Sequence, residues 1–265
     1  MLSIEELKLL IEKLEKVKKE DLQELIDSNL KILKDIALAV DANNSKVIQR
    51  LDKTPEWFKQ DIEWKVKTPF VDPVTQRQVQ SKIFQFARTN IFNSLEIGPG
   101  NGMFSMDFRT WRLNFFLDIL LDREKIIRKK FNPHHQKYLK FYTTRNTECS
   151  NIPQNSCNLV FSWDTFVFLT QQHVQQYLHD IKRVLVPGGY GFIHYSDCHY
   201  DLELDLAKRG YWNYNTKTAM TQMIKDEGYE VVEMNQFKPS ASYAIFRKPG
   251  KQNPVVYKVS EITLD

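Results

Sequence analysis

The stretch Ser94-Leu95-Glu96-Ile97-Gly98-Pro99-Gly100-Asn101-Gly102-Met103-Phe104 constrains this chain more than any other. It reads as a short apolar strand carrying one acid, followed by a glycine-rich turn. Three of the nine glycines fall at 98, 100 and 102, where the missing Cβ lets the backbone bend sharply and come close to a ligand. Such a turn, at the carboxyl end of the first strand of an open α/β sheet, is where nucleotide-like ligands bind. The dinucleotide fingerprint G-x-G-x-x-G does not fit, because Met103 stands where its third glycine would be.

The pattern on both sides of the turn alternates between strand and helix. Strands are expected at 94–97, 114–118, 139–143, 158–162 and 190–195. Helices are expected around Ile83, Phe84 and Phe86 and over 123–130, 174–185 and 216–227, with a closing strand pair at 230–237 and 241–247. That alternation argues for a parallel sheet, and the last two strands, with no helix between them, argue for a final antiparallel hairpin. A chain of 265 residues is long enough to bury one such core and carry an appendage.

The appendage is N-terminal. Ile4, Leu7, Ile11 and Leu14 recur at helical steps, and Leu22, Leu25, Ile26, Leu30, Leu33 and Ile36 resume the stripe after a break. Ser3 with Glu6 and Asp21 with Glu24 fit capping boxes. The stripe packs on the main domain or makes a homodimer seam. Pro55, Trp57, Phe58, Trp64, Pro69, Phe70 and Pro73 then interrupt the helical period, as a buried linker or a lid would. The expected division is 1–79 helical extension and linker, 80–250 main domain and 251–265 tail.

Composition excludes several classes. The net charge of +4 is too small to argue for nucleic acid by itself. No apolar run approaches the ~20 residues of a membrane span, and no signal peptide is visible at the N-terminus. Cys149, Cys157 and Cys198 are odd in number and lack C-x-x-C spacing, against a disulfide framework or a thiolate zinc site. A reduced, cytoplasmic protein is expected.

The turn, with Glu96 in its acidic position, resembles the E/D-x-G-x-G-x-G signature of class I S-adenosylmethionine-dependent methyltransferases. Further segments match that family in order. Phe115-Phe116-Leu117-Asp118 ends in an acid able to accept both ribose hydroxyls; Asp118 matches the family's ribose-binding acid, with Asp122 a weaker candidate. Glu148-Cys149-Ser150-Asn151-Ile152-Pro153 resembles the D-A-x-x-L-P turn. The resemblance implies that Glu148 accepts from the adenine amino group and that Cys149 directs its backbone N–H at the ring. Asn158-Leu159-Val160-Phe161-Ser162 is similar to f-D-l-V-x-S, with Asn158 in place of the usual Asp, and brings Ser162 and Trp163 to the strand end. Arg183-Val184-Leu185-Val186-Pro187-Gly188-Gly189 resembles the R-x-L-x-P-G-G turn that enters strand five. The resemblance implies a Rossmann-like seven-stranded, mostly parallel sheet with S-adenosylmethionine as cofactor, held by Glu96, Gly98, Pro99, Gly100, Gly102, Asp118, Glu148, Cys149, Ser162 and Trp163.

Methyl transfer from a sulfonium is an in-line displacement in which much of the catalysis is positioning. A hydroxyl acceptor also has to lose its proton to a base. His194, ending the 190–195 strand, is the candidate base, and Asp164 or Asp197 would orient it or act instead; a core imidazole is the competing reading of His194. Strand-end spacing alone does not converge His194, Asp197 and His199 on a metal, and none is expected. The expected activity is methylation of a small-molecule hydroxyl, of a sugar or metabolite. Methylation of an amine or amino sugar is the alternative, and a non-catalytic cofactor-binding or interaction domain is the third, disfavoured by the intact Glu96, Asp118 and glycines. The chain lacks both the Asn/Asp-Pro-Pro-Tyr/Phe of nucleobase amino methyltransferases and the paired-glutamate loop of the protein arginine enzymes.

Overall fold

Apolar runs covered on both faces are the mark of parallel strands inside a sheet, and four strands of the computed structural model of this chain have that character. β1 (Asn93–Ile97), β2 (Leu113–Asp118) and β4 (Cys157–Ser162) are buried at every residue, and β7 (Ser242–Arg247) at all but its last. With β3 (Leu139–Thr143), β5 (Leu185–His194) and β6 (Glu230–Gln236) they form one sheet in the order β3-β2-β1-β4-β5-β7-β6. Pairings from β3 to β5 are parallel; β7 runs antiparallel between β5 and β6. This is the expected Rossmann-like sheet with its closing hairpin. Besides Glu5, the structure describes residues 71–86, 92–108, 112–120, 122–144 and 147–251. The amphipathic N-terminal stripe with its dimer seam, the connector as far as Phe70 and the tail beyond Lys251 lie outside the described residues.

Side chains alternate across the sheet. Leu95, Ile97, Val160, Ile193 and Phe246 face a core completed by α4 (Gln171–Val184) and α6 (Lys217–Asp226). Leu159, Phe161, Phe192, Tyr243 and Ile245 face the other way, against Val79 and Ile83 of α1 (Pro73–Phe86) and against Phe104 and Phe108. The helices α2 (Arg123–Arg128), α3 (Pro133–Gln136) and α5 (Asp201–Lys208) complete the elements used below. At the amino edge of the sheet, Asn158 accepts the N–H of Asn93 at 3.0 Å.

Two elements depart from the sequence reading. Pro73, read as an interruption, opens α1. Its missing N–H costs nothing in a first turn, and Asp72 caps the helix by accepting the N–H groups of Val74 and Thr75 at 2.9 and 3.0 Å. The Pro187-Gly188-Gly189 segment, read as a turn before strand five, lies within β5. Cys157 pairs with Leu185 but Leu159 pairs with Tyr190, so the extra residues bulge out of the ladder, where a proline is tolerated. Lys248 fastens the bulge: its N–H reaches Gly189 O at 2.9 Å and its Nζ reaches Leu185 O at 2.6 Å.

Past the bulge, Gly191 lies where β5 passes closest to Phe246. A Cβ on it would sit 2.1 Å from the buried Phe246 ring. Gly191→Ala is therefore expected to destabilise the fold by about 1–3 kcal/mol through overpacking, read as a lower urea midpoint. An unchanged midpoint would mean that the ring moves freely aside.

Candidate active site

The carboxyl ends of β1, β2, β4 and β5 meet on one edge of the sheet, where a ligand of an open α/β fold binds. The glycine turn leaves β1 there, with Gly98, Gly100 and Gly102 at φ +67°, +53° and +72°. Non-glycine residues adopt this region only at a cost. Gly98 N donates to Leu117 O at 2.8 Å, tying the turn to β2, and Gly102 N closes it on Pro99 O at 2.8 Å.

The three glycines serve different purposes. A Cβ at Gly98 would strike Thr165 Oγ1 at 1.9 Å, and one at Gly102 would crowd Ile127 and Ser105 at 3.2 Å. Only at Gly100 would it project into open space, with nothing within 4 Å. Gly98 and Gly102 thus serve packing within the chain, while Gly100 leaves the backbone bare toward the cleft. A cradle of this shape fits an extended nucleoside ligand.

Two acids flank it. Glu96 is buried on the α1 face and accepts Ser105 Oγ at 2.5 Å. Burial pushes its carboxyl up to about 8, and the nearby charges of Asp107 and Asp118 add to the shift. Asp118 accepts Leu120 N at 3.0 Å. Burial raises its carboxyl too, opposed by Leu120 N–H, the Arg123 guanidinium and Gly100 N–H. Arg123, buried at the start of α2, reaches Asn101 of the turn with Nη1 at 3.2 Å. Asp122 is mostly exposed and faces Arg123 Nε at 3.4 Å, on the outer side of this cluster.

The loop carrying Glu148 departs from expectation at Cys149. Its N–H, which the resemblance directs at the adenine ring, is donated to the Asp180 carboxylate of α4. Ser162 is likewise committed: fully buried, it donates Oγ to Ile97 O at 2.8 Å, fastening β4 to β1 behind the turn.

At the ends of β4 and β5, Trp163, Asp164 and His194 come together. The His194 ring is buried and stacks on Trp163 with centroids 4.4 Å apart and planes 15° from parallel, while Trp212 meets it edge-on at 5.6 Å. Nδ1 accepts Asp164 N–H at 3.2 Å and Nε2 faces Ser240 O at 3.2 Å. A carbonyl oxygen can only accept, so Nε2 carries a proton toward Ser240 O. Asp164 Oδ1 lies 3.1 Å from the same Nδ1. Asp164 and Ser240, at φ +59° and +68°, are two of the three non-glycine residues with positive φ among those described. Backbone strain of this kind, about 1–3 kcal/mol per residue, collects at functional sites. Both partners of the imidazole carry it.

A pocket opens beside the imidazole, lined by Trp163, Asp164, Trp212 and Ser240, with Thr75 and Lys238 also in its wall. Asp197 lies apart, its Oδ1 on His199 Nδ1 at 3.0 Å and on Lys217 N at 2.9 Å. Among the described residues no three His, Cys, Asp or Glu side chains gather as metal ligands would. Ser105, Arg123, Asp180, Trp212 and Ser240 were not singled out from the sequence. Ser105, Arg123 and Asp180 stand within three residues of a motif or candidate; Trp212 and Ser240 arrive from distant loops with no local pattern.

Residues 95–193 match the methyltransferase domain family. No curated protein matches the chain. The solved structures that resemble it include an S-adenosylmethionine-dependent methyltransferase from Methanosarcina mazei, at 13% identity and TM-score 0.51 over 64% of this chain and 98% of that one. One from Mesorhizobium loti aligns at 11% identity and TM-score 0.53, over 64% and 96%. Geranyl diphosphate C-methyltransferase from Streptomyces coelicolor, solved with S-adenosyl-L-homocysteine, aligns at 7% identity and TM-score 0.54, over 66% and 80%. At such identities the likeness to these structures is one of fold.

Two outcomes are expected from the turn. Gly98→Ala should lower stability by about 1–3 kcal/mol through overlap with Thr165. Gly100→Ala should cost only the left-handed strain of about 1–2 kcal/mol yet abolish most S-adenosylhomocysteine binding by calorimetry. Equal binding by Gly100→Ala and wild type would remove Gly100 from the cradle. A third outcome concerns Glu96. Its folded pKa of about 8 exceeds the ordinary 4.5, so the folded state holds an extra proton between those values. The stability this contributes is full below 4.5 and lost as pH rises through about 8, at up to ~1.4 kcal/mol per pH unit. Denaturation between pH 5 and pH 8 should show a steeper decline in wild type than in Glu96→Gln; parallel profiles would mean that Glu96 is ionised in the fold.

Proposed function

Because residues 95–193 form a class I S-adenosylmethionine-dependent methyltransferase domain, we propose that this enzyme methylates a hydroxyl of a small molecule, such as a sugar or related metabolite, seated beside Asp164. The observation that carries this reading is the pair of acceptor atoms Asp164 Oδ1 and His194 Nδ1, 3.1 Å apart with the imidazole proton committed to the Ser240 side. The one lone pair of Nδ1 takes the Asp164 N–H, so an incoming proton goes to the Asp164 carboxylate, which the imidazole holds in place.

When bound, S-adenosylmethionine supplies an electrophilic methyl group on a sulfonium. The chain's own residues do the rest. Gly100 leaves room along the turn, Asp118 receives the ribose hydroxyls, and Glu148 accepts from the adenine amino group. Trp163 and Trp212 wall the acceptor pocket and exclude water from the reacting oxygen. The acceptor's proton would pass to the Asp164 carboxylate, which His194 positions through Nδ1 while its Nε2–H stays on Ser240 O. His194 reaches the acceptor through Asp164 in this scheme, because neither of its nitrogens faces the pocket unpartnered.

A second reading rests on the indoles. Trp163 and Trp212 with Asp164 in one pocket also suit an ammonium group, through cation–π attraction and a carboxylate. An amine acceptor then loses its proton to solvent before transfer and needs no base from the chain.

Labelled methyl transfer to panels of sugars, other hydroxylated metabolites and amines tests both readings. For a hydroxyl acceptor, Asp164→Asn is expected to lower turnover by about 10²–10⁴-fold with S-adenosylhomocysteine affinity nearly unchanged. His194→Ala should lose turnover by a comparable factor, beyond what its melting temperature explains. Near-normal turnover by folded His194→Ala with a lowered melting temperature would make the imidazole a packing group. Activity in both variants, on amines only, would establish the second reading.

A further inference from the structure

The loop that follows β3 toward β4 carries Glu148, and α4 holds it by an arrangement that its own turn does not require. Ile152 N closes the turn on Cys149 O at 2.8 Å. Arg183 then reaches the same Cys149 O with Nη2 at 2.6 Å and Ile152 O with Nη1 at 2.8 Å. Its Nε donates to Asp180 Oδ1 at 2.7 Å, and the other oxygen of Asp180 takes the Cys149 N–H. One ion pair on one helix face therefore satisfies the N–H and both exposed carbonyls of the loop. Arginine's planar fork suits two carbonyls and a carboxylate at once, a geometry that lysine cannot reproduce.

The helix is placed to act as a rigid mount. Val174, Tyr177, Leu178, Ile181 and Val184 of α4 are buried against the sheet. Asn155 N and Ser156 N, leading into β4, bond to the carbonyls of Arg183 and Val184 at 2.9 Å each. Loop, helix end and strand entry are thus fixed to one another, and Cys149 itself is fully buried.

We infer that Asp180 and Arg183 are positioning residues for cofactor recognition: they clamp the Glu148 loop and take the Cys149 N–H out of use, so that discrimination of the cofactor's base rests on the Glu148 carboxylate. This rests on the proposed reading in which Glu148 faces the adenine amino group. A carboxylate accepts from an amino group and repels the carbonyl of hypoxanthine, so the clamp makes the site selective at one position of the purine. The backbone N–H of Cys149, already spent on Asp180, adds nothing to that choice.

The test compares S-adenosylhomocysteine with its hypoxanthine counterpart, S-inosylhomocysteine, by titration calorimetry on the full chain. Wild type should prefer the adenine form by about ten- to a hundredfold, the range of a hydrogen bond to a charged group. In Arg183→Gln the preference should shrink to about threefold or less, as a loosened Glu148 follows either base. Arg183→Lys should be nearly as unselective, and Asp180→Asn, which keeps an acceptor for Cys149 N–H, should lie between. A loss of melting temperature with the preference intact in the folded variants would overturn the proposal, reducing the pair to a structural brace. Wild type binding both ligands equally would overturn it as well, through Glu148, while leaving the cofactor assignment standing. Binding of neither ligand would overturn the cofactor assignment and the clamp's role together.

Discussion

Left-handed backbone at positions 98, 100 and 102 is the constraint on which the functional edge of the sheet depends. Only glycine adopts it without crowding its own Cβ, and the turn it makes brings Gly98 N onto Leu117 O. Thr165 fills the space that a Gly98 side chain would take, and Ser162 holds Ile97 O from behind. The ends of three strands are thereby locked in register at the point where a ligand meets them. Three acids on that edge take their places from this lock: Glu96 two residues before Gly98, Asp118 one residue past Leu117, and Asp164 one residue before Thr165.

The lock also confines negative charge. The charge of Asp118 bears on Glu96, within an interior that penalises both carboxylates. The chain relieves the two unequally. Asp118 has backbone N–H donors and the Arg123 guanidinium, whereas Glu96 has one hydroxyl and a more distant Lys130. Burial raises both carboxyls, and Asp118 meets more opposing donors than Glu96 does. Asp118 suits a standing acceptor of hydroxyl groups.

What could be read beforehand followed from local rules. The five parallel strands showed as apolar runs at helix-separated spacing, and the final hairpin as two strands with no helix between them. The turn and the ribose acid showed because their chemistry is set by adjacent residues. Of the two misread elements, one was decided by a neighbouring cap and the other by a contact from elsewhere. Pro73 opens a helix because Asp72 caps it, and Pro187 bulges within a strand because Lys248 receives it. The short α5 carried no pattern strong enough to announce it. Within the site, Ser162 and Cys149 occupy the expected strand end and loop. The partners of their polar groups, Ile97 O and Asp180, sit on other elements and were invisible to spacing.

The two halves of the cleft have different origins in the fold. The cofactor side is built from the parallel half, by β1, β2 and the loops after them, where pattern is strongest. The acceptor side belongs to the junction with the antiparallel hairpin. His194 pairs with Tyr243 across β5 and β7, and Ser240, in the turn between β6 and β7, supplies the carbonyl that holds Nε2. Asp164 holds Nδ1 from the end of β4. Both holders sit in left-handed backbone, which carries a cost in strain. Stacking on Trp163 and the edge of Trp212 supplies the packing that offsets it. The shape of the pocket beside His194 thus depends on a loop between two terminal strands, a place where the fold can change length and sequence without disturbing the glycine turn.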